Sequence, residues 1–256
     1  MSYLTQIKAI LVASIFLGFV LIPACIVALP FPLRYRLKLV SPAWGIFSRN
    51  FLRFGCNAKL DILEDHRSEE FKGVPAYGLY IANHQSFIDI PLMATTYAIP
   101  PIMKKEVLYI PVFGWLAWAS GAMAVSRSQT NSRKKVFSMA RNRLNKEKMA
   151  VQVYPEGTRS LDGHPKSFEH IKKTLMVVAY TDKIPVIPTS LYGTRGVLTK
   201  KGTIKPNRHL GIIVHKEIHP ENFATVDEFC MACWNKVIEG YDRMRDQLGP
   251  LNESLS

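Results

Sequence analysis

Residues 9–33 carry no charged side chain, and 9–22 is almost wholly apolar. A helix crossing a bilayer needs roughly 20 apolar residues. The stretch therefore predicts an N-terminal helix that just spans a membrane, or one that enters a single leaflet and turns back near Pro23. Pro30 and Pro32 interrupt the chain beyond it. From 42 to 55 the pattern becomes amphipathic. Phe47, Phe51 and Phe54 recur at spacings of four and three, on one helix face, among Arg49 and Arg53. A basic helix with an aromatic face suits a membrane interface or packing on a soluble domain; the apolar segment before it favours the membrane.

Beyond this point the chain alternates short apolar runs with helical patterns. Residues 61–76 are polar and read as a strand and loop. The run 77–82 reads as a strand leaving a core, and Pro91 suits the first turn of a helix. Residues 107–126 are uncharged and contain Tyr109, Phe113, Trp115 and Trp118. Pro111, Gly114 and Gly121 punctuate them, so short buried elements lining an apolar channel are expected in place of a second span. Residues 131–148 predict a basic helix with Val136, Ala140 and Leu144 as its buried stripe. A strand over 149–154, a sharp turn over 155–159, a helix over 175–180, strands over 186–191 and 210–215 and a closing helix over 227–248 complete the pattern. The expectation is an α/β fold: residues 59–256 form one domain with a central, mostly parallel or mixed sheet flanked by helices. Residues 1–58 precede it as membrane-embedded or interfacial helices.

Composition and charge sharpen this picture. The 256 residues are 48% hydrophobic, enough for one large domain with a real core. The net charge of +13 is unevenly placed: no acidic residue precedes Asp61, and 127–148 is a basic block with Glu147 as its one acid. Such asymmetry points to a polyanion: nucleic acid, an anionic membrane or a phosphate-bearing substrate. No recognised nucleic-acid motif is present, and the uncharged N-terminus argues against that partner. Arg34, Arg36 and Lys38 flank the apolar segment and, by the positive-inside rule, place that side in the cytoplasm. Only Lys8 marks a signal-peptide n-region and no small-x-small site follows, which makes a cleaved leader the weaker reading. Four cysteines make no disulfide framework at this length, and Cys230-Met-Ala-Cys233 lacks the partners of a zinc site. His215 and His219 are four apart, but Pro220 ends any helix there, so no metal pair is expected.

The candidate chemistry centres on Asn83-His84-Gln85-Ser86-Phe87-Ile88-Asp89, directly after the strand over 77–82. An α/β sheet presents ligand-binding side chains at such strand ends. A histidine can take a proton from an alcohol, and a carboxylate within reach fixes its tautomer and stabilises the imidazolium. Alone, one His-x-x-x-x-Asp spacing equally describes a surface histidine in a polar loop. Three later stretches change that balance. One begins Lys105-x-x-Leu108-x-x-Pro111-x-x-Gly114 and ends Gly121-x-x-x-x-x-Arg127; one is Tyr154-Pro155-Glu156-Gly157-Thr158-Arg159-Ser160; one is Ile184-Pro185-Val186-Ile187-Pro188. In this order, over roughly residues 75–192, the chain resembles the glycerolipid acyltransferases, most closely the bacterial 1-acylglycerol-3-phosphate acyltransferases.

The resemblance implies acyl transfer from acyl-CoA or acyl-carrier protein to the sn-2 hydroxyl of lysophosphatidate, giving phosphatidate at the cytoplasmic face of an anionic membrane. It implies no cofactor and no metal. His84 would be the base and Asp89 its orienting carboxylate. No G-x-S-x-G elbow is present, so direct attack by the acceptor alcohol is simpler than an acyl-enzyme. Backbone N–H groups near His84 could hold the oxyanion. Acceptor binding is implied for Glu156, Gly157, Thr158, Arg159 and Arg127, with Lys105 as a helper. Arginine matches phosphate bidentately, although Arg159 could instead pair with Glu156. Phe113 and Trp115 would border the acyl chain; Ile184, Pro185 and Pro188 would either border it from a strand edge or lie in a plain core strand with Pro ends.

Two departures concern the headgroup. Many relatives have Asp where Ser126 precedes Arg127. The family often has Phe-Lys-x-Gly where this chain reads Phe168-Glu169-His170-Ile171-Lys172-Lys173, so Lys172 or Lys173 replaces the usual lysine or the pocket differs. The competing readings are the same chemistry on another lysolipid or amino-lipid acceptor, and a basic non-enzymatic protein binding membrane or nucleic acid.

Overall fold

The computed structural model describes residues 2–73, 76–99, 101–110, 113–126, 130–198 and 202–249. The chain opens on α1 (Ser2–Phe16), a π-helical turn (Leu17–Leu21) and α2 (Ile22–Ala28), which run on without a break. The helix thus does not turn back near Pro23. Pro23 falls in the first turn of α2, where its missing N–H costs little, and the wider π turn sits just before it. Tyr3–Ala28 is long and apolar enough to cross a membrane, with a mean hydropathy of 2.8, and only 11% of its most apolar window is buried.

The chain reverses at 29–32 and returns as α3 (Leu33–Asn50), continued by a second π-helical turn (Phe51–Gly55). α2 packs on α3, and α1 packs on the second π turn, so the two arms form an antiparallel hairpin. Leu21, Cys25, Val40, Ala43 and Phe47 make its core. The short α4 (Glu69–Lys72) and α5 (Asp89–Ala94) come next among the helices, then α6 (Phe113–Ala119), whose Leu116 and Ala119 join the hairpin core. α3 also packs on α5 and Leu52 belongs to the main core, so the hairpin is seated on the domain.

The main sheet has five strands: β1 (Lys59–Asp65), β2 (Leu79–Ala82), β5 (Val151–Val153), β6 (Val186–Tyr192) and β7 (His209–Val214). β3 (Ile102–Lys104) and β4 (Met123–Val125) make a separate parallel pair. The main order is β1-β7-β6-β2-β5. All neighbours are parallel except β6 and β7. The sheet is therefore mixed and mostly parallel, as the pattern implied.

β2 is buried on both faces, which is why 79–82 is a continuous apolar run without alternation. Its side chains still alternate. Tyr80 and Ala82 face the layer that holds Leu92 and Met93 of α5. Leu79 and Ile81 face α7 (Thr130–Asn145), α8 (Thr174–Thr181) and α10 (Val226–Leu248). Val136, Ala140 and Leu144 are the buried stripe of α7. Cys230 and Cys233 are unpaired and buried, in the packing role expected for them. β6 lies between β7 and β2, so it is an interior strand. Ile184 and Pro188 are accordingly buried beneath the sheet's neighbours and border no open edge.

Candidate active site

β2 ends where Asn83 takes over its pairing. The Asn83 side chain donates to the Leu191 carbonyl at 2.9 Å and accepts from the Leu191 N–H at 2.8 Å. One side chain completes the ladder to β6, and the backbone is released into the turn that carries His84. α5 then starts at Asp89, whose carboxylate is wholly buried.

Asp89 Oδ2 accepts from the N–H of Gln85 at 2.8 Å, the N–H of Ser86 at 2.9 Å and His84 Nδ1 at 2.7 Å. Oδ1 accepts from the Thr194 hydroxyl, which lies 3.0 Å from Gln85 Oε1. Thr194 opens α9 (Thr194–Val197) directly after β6. Gly193 enters it with φ +82, and a Cβ there would fall 2.0 Å from the His209 carbonyl oxygen, so only glycine fits. With donors on both sides, the carboxylate is an acceptor at every contact. The proton between it and His84 therefore sits on Nδ1, which leaves Nε2 with its lone pair. Nε2 has no partner among the described residues, and the His84 side chain is 20% exposed. The imidazole stacks on Tyr154, with centroids 4.1 Å apart and planes 19° from parallel.

The turn after β5 closes over this histidine. Glu156 Oε1 accepts from the His84 N–H at 3.0 Å, and the Ser160 N–H donates to the His84 carbonyl at 2.7 Å. Glu156 is 3% exposed, and its Oε2 is buried without a partner among the described residues. Burial pushes its carboxyl up to about 8. It does not pair with Arg159. Arg159 is exposed and lies over the Phe87 ring, 4.7 Å from its centroid. Thr158 is exposed and its hydroxyl accepts from Lys166 Nζ at 3.1 Å; the same amine donates to the Glu156 carbonyl at 3.2 Å. Gly157 has φ +68, and a Cβ there would meet Lys172 Nζ at 2.9 Å. Of the pair Lys172 and Lys173, Lys172 is thus the one that reaches this turn, whereas Lys173 covers the Phe168 ring at 3.7 Å.

The structure brings His84, Asp89, Glu156, Gly157, Thr158 and Arg159 together. Lys105 is exposed on the 3-10 turn Lys105–Tyr109, and no contact joins it to this cluster among the described residues. Arg127 and the side chain of Phe113 lie outside the described residues. An apolar cavity lies between α3 and α5, with Met103 of β3 and Ala117 of α6 also on its wall; no residue of the cluster lines it, and Ile90, next to Asp89, comes nearest in sequence. Leu37, Val40 and Trp44 line it from one side, and Ile90, Met93 and Tyr97 from the other. Trp115, Ile184, Pro185 and Pro188 are not among its lining. Trp115 instead packs on the hairpin core. Sequence reasoning missed Thr194 and gave Asn83 and Tyr154 no role. For Thr194 a signal exists: Gly193-Thr194 comes directly after a strand, the same kind of position as His84.

Of the N–H groups in the turn, those of Gln85 and Ser86 hold Asp89 and that of Ile88 holds the Ser86 hydroxyl at 3.3 Å. The Phe87 N–H has no partner among the described residues. The arrangement offers one base with a fixed tautomer, one backbone donor, exposed cations and an apolar cavity.

Comparison with known proteins agrees with that chemistry. Residues 65–192 match the family model described as Acyltransferase. The 1-acyl-sn-glycerol-3-phosphate acyltransferase LPAT1, chloroplastic, of Arabidopsis thaliana is 31% identical over 166 residues, covering 64% of this chain and 45% of the relative. The 1-acyl-sn-glycerol-3-phosphate acyltransferase of Escherichia coli is 29% identical over 151 residues, covering 57% of this chain and 58% of the relative. The chain thus spans about half the length of the curated relatives it matches. The crystal structure of the 1-acyl-sn-glycerophosphate acyltransferase PlsC from Thermotoga maritima shares the fold, with a TM-score of 0.74 over 95% of this chain and 96% of that one, at 23% identity. The matched segment runs from the end of β1 through β6 and contains His84, Asp89 and the whole 154–160 turn, so the chain belongs to the acyltransferase family.

Proposed function

We propose that the chain transfers a fatty acyl group from an acyl thioester to the free sn-2 hydroxyl of lysophosphatidate, giving phosphatidate. The observation that carries this reading is the His84 imidazole, fixed through Nδ1 on buried Asp89 with Nε2 open. In the reaction Nε2 takes the proton of the acceptor hydroxyl as its oxygen attacks the thioester carbonyl. The Asp89 carboxylate stabilises the imidazolium that forms. The Phe87 N–H is the donor for the oxyanion. Collapse of that intermediate expels the thiolate, which takes the proton back from His84. The step needs no cofactor beyond the donor, which is acyl-CoA or acyl-carrier protein.

Arg159 and Arg127 are the cations for the acceptor's phosphate, with Lys105 as a helper, and Lys172 at the Gly157 turn replaces the family's usual lysine. The cavity between α3 and α5 takes the acyl chain. Its α5 wall belongs to the helix that starts at Asp89, so the chain lies along the helix that holds the base. The hairpin of 1–58 holds the enzyme at the cytoplasmic face of an anionic membrane. Ile7, Leu11, Ile15, Phe19 and Ile26 are exposed along its first arm, which suits contact with lipid.

The test is turnover by purified full-length protein with lysophosphatidate and each donor, with products resolved by mass. Phosphatidate formed with either donor supports the reading; its absence with both overturns it. The sequence around Phe168 favours a rival, another lysolipid acceptor, and a panel of acceptors assayed in parallel separates the two by kcat/KM.

A further inference from the structure

We propose that Glu156 is a positioning residue for His84 and not a ligand for the acceptor. Its carboxyl ties the His84 peptide to the 155–160 turn through a hydrogen bond that a side-chain amide would make equally well. The proposal rests on the reading of His84 as the base.

The geometry separates Glu156 from its neighbours in the turn. Thr158 and Arg159 are exposed, where a headgroup can reach them, while Glu156 is buried. Glu156 Oε1 holds the His84 N–H at 3.0 Å, and the Ser160 N–H holds the His84 carbonyl at 2.7 Å. The turn therefore grips the His84 main chain on both sides. Asp89 and Tyr154 then fix the ring. Without the Glu156 contact the His84 N–H would lose its acceptor, and the imidazole's placement would rest on the ring contacts and the Ser160 bond alone.

Charge adds nothing to this role. Glu156 makes no ion pair among the described residues. Arg159 lies on Phe87, and the Lys166 amine is engaged by the Glu156 carbonyl and the Thr158 hydroxyl. Burial opposes ionisation most strongly; the His84 N–H and, from a distance, Lys166 favour it, and Asp89 and Asp162 oppose it. Lys172 crosses the turn at Gly157. A buried carboxylate without a partner is costly, so the neutral acid is the form that fits. Its ionisation near pH 8 would also set a negative charge beside the acceptor's phosphate.

The experiment compares the full-length enzyme with Glu156→Gln and Glu156→Ala, measuring kcat and KM for lysophosphatidate across the pH range around 8. Thermal melts check that each variant is folded. Glu156→Gln is expected to keep kcat within about a factor of ten, while Glu156→Ala loses about 10²-fold, the order seen when a reacting group is misplaced by an ångström. KM is expected to rise with pH through about 8 in the wild type and to stay flat in Glu156→Gln. Should Glu156→Ala fail to fold, the Glu156→Gln comparison decides alone. The proposal is overturned if Glu156→Gln loses at least about 10²-fold in kcat, if it raises KM at neutral pH with kcat kept, or if its KM still climbs with pH as in the wild type. Failure of the base reading is seen separately, as turnover that survives His84→Ala.

Discussion

The Thr194 hydroxyl donates to the Asp89 carboxylate across 105 residues of sequence. It ties the end of β6 to the start of α5. Asp89 is thus oriented from its Oδ1 side by one strand end while its Oδ2 orients His84 at another. Thr194→Val should lower kcat by about tenfold with KM little changed, since hydrogen bonds to charged groups contribute roughly 1.5–3 kcal/mol. Thr194→Ser, which keeps the hydroxyl, should recover most of the rate. Steady-state kinetics on the three proteins checks this; equal rates would remove Thr194 from the site.

His84→Ala should abolish transfer with the fold kept, because general-base catalysis contributes about 10²–10⁴ in rate. Asp89→Asn should also be severe, through loss of control over the His84 tautomer. Turnover in His84→Ala above about a tenth of wild type, against that lower bound of 10², would remove His84 from the base role.

Arg159→Lys keeps the charge but loses the planar fork, so it should reduce kcat/KM for lysophosphatidate by of order 10 to 10². The loss should be larger for a phosphate-bearing acceptor than for an analogue without phosphate. Equal losses on both would make Arg159 structural, held by its contact with Phe87.

Removing residues 1–55 would strip Leu52 from the main core and α3 from the flank of α5, so that truncation mixes loss of membrane binding with loss of the fold. Replacing Ile7, Leu11 and Ile15 with serine is the sharper test, since these side chains are 54%, 57% and 53% exposed. Each large apolar side chain contributes roughly 1.5–3 kcal/mol on burial, so partition into anionic vesicles should fall by at least about 10²-fold. Circular dichroism should remain unchanged. Full retention on the vesicles would move the membrane contact elsewhere.

Stability should depend on pH through Glu156. Between 4.5 and about 8 the folded chain keeps a proton there that the unfolded chain has released. The stability tied to this group is full below 4.5 and is lost as pH rises through the folded value. The fall in Tm from about pH 5 to about pH 8 should therefore be smaller in Glu156→Gln than in the wild type. Parallel curves for the two proteins would show that Glu156 is ionised in the fold.

Local patterns carried most of the fold. The stripe of Val136, Ala140 and Leu144, the run of β2 and the alternation of elements after it all map onto observed structure, because burial on one face leaves its period in the sequence. His84 and Asp89 were legible because a single turn holds both. Thr194 carried only a weak signal, its place after a strand, since sheet pairing is what brings β6 beside β2. Pro23 suggested a break, but a π turn lets the helix continue through it. The bordering role of Ile184 and Pro188 presumed an edge strand, and which strand lies inside a sheet is set by topology that no local pattern records.

α5 serves two masters. Its first residue, Asp89, holds His84, and Ile90 and Met93 along its flank face the cavity. On the proposed acyl role of that cavity, chain-length preference and turnover share one short helix. Substitutions on this helix that lengthen or shorten the cavity would tilt Asp89 and detune His84 at the same time. On the opposite wall, Leu37 and Val40 belong to α3, which makes none of the contacts to His84 or Asp89 and reaches them only through its packing on α5. A change of cavity length made on α3 is therefore one helix contact further from Asp89 than the same change made on α5.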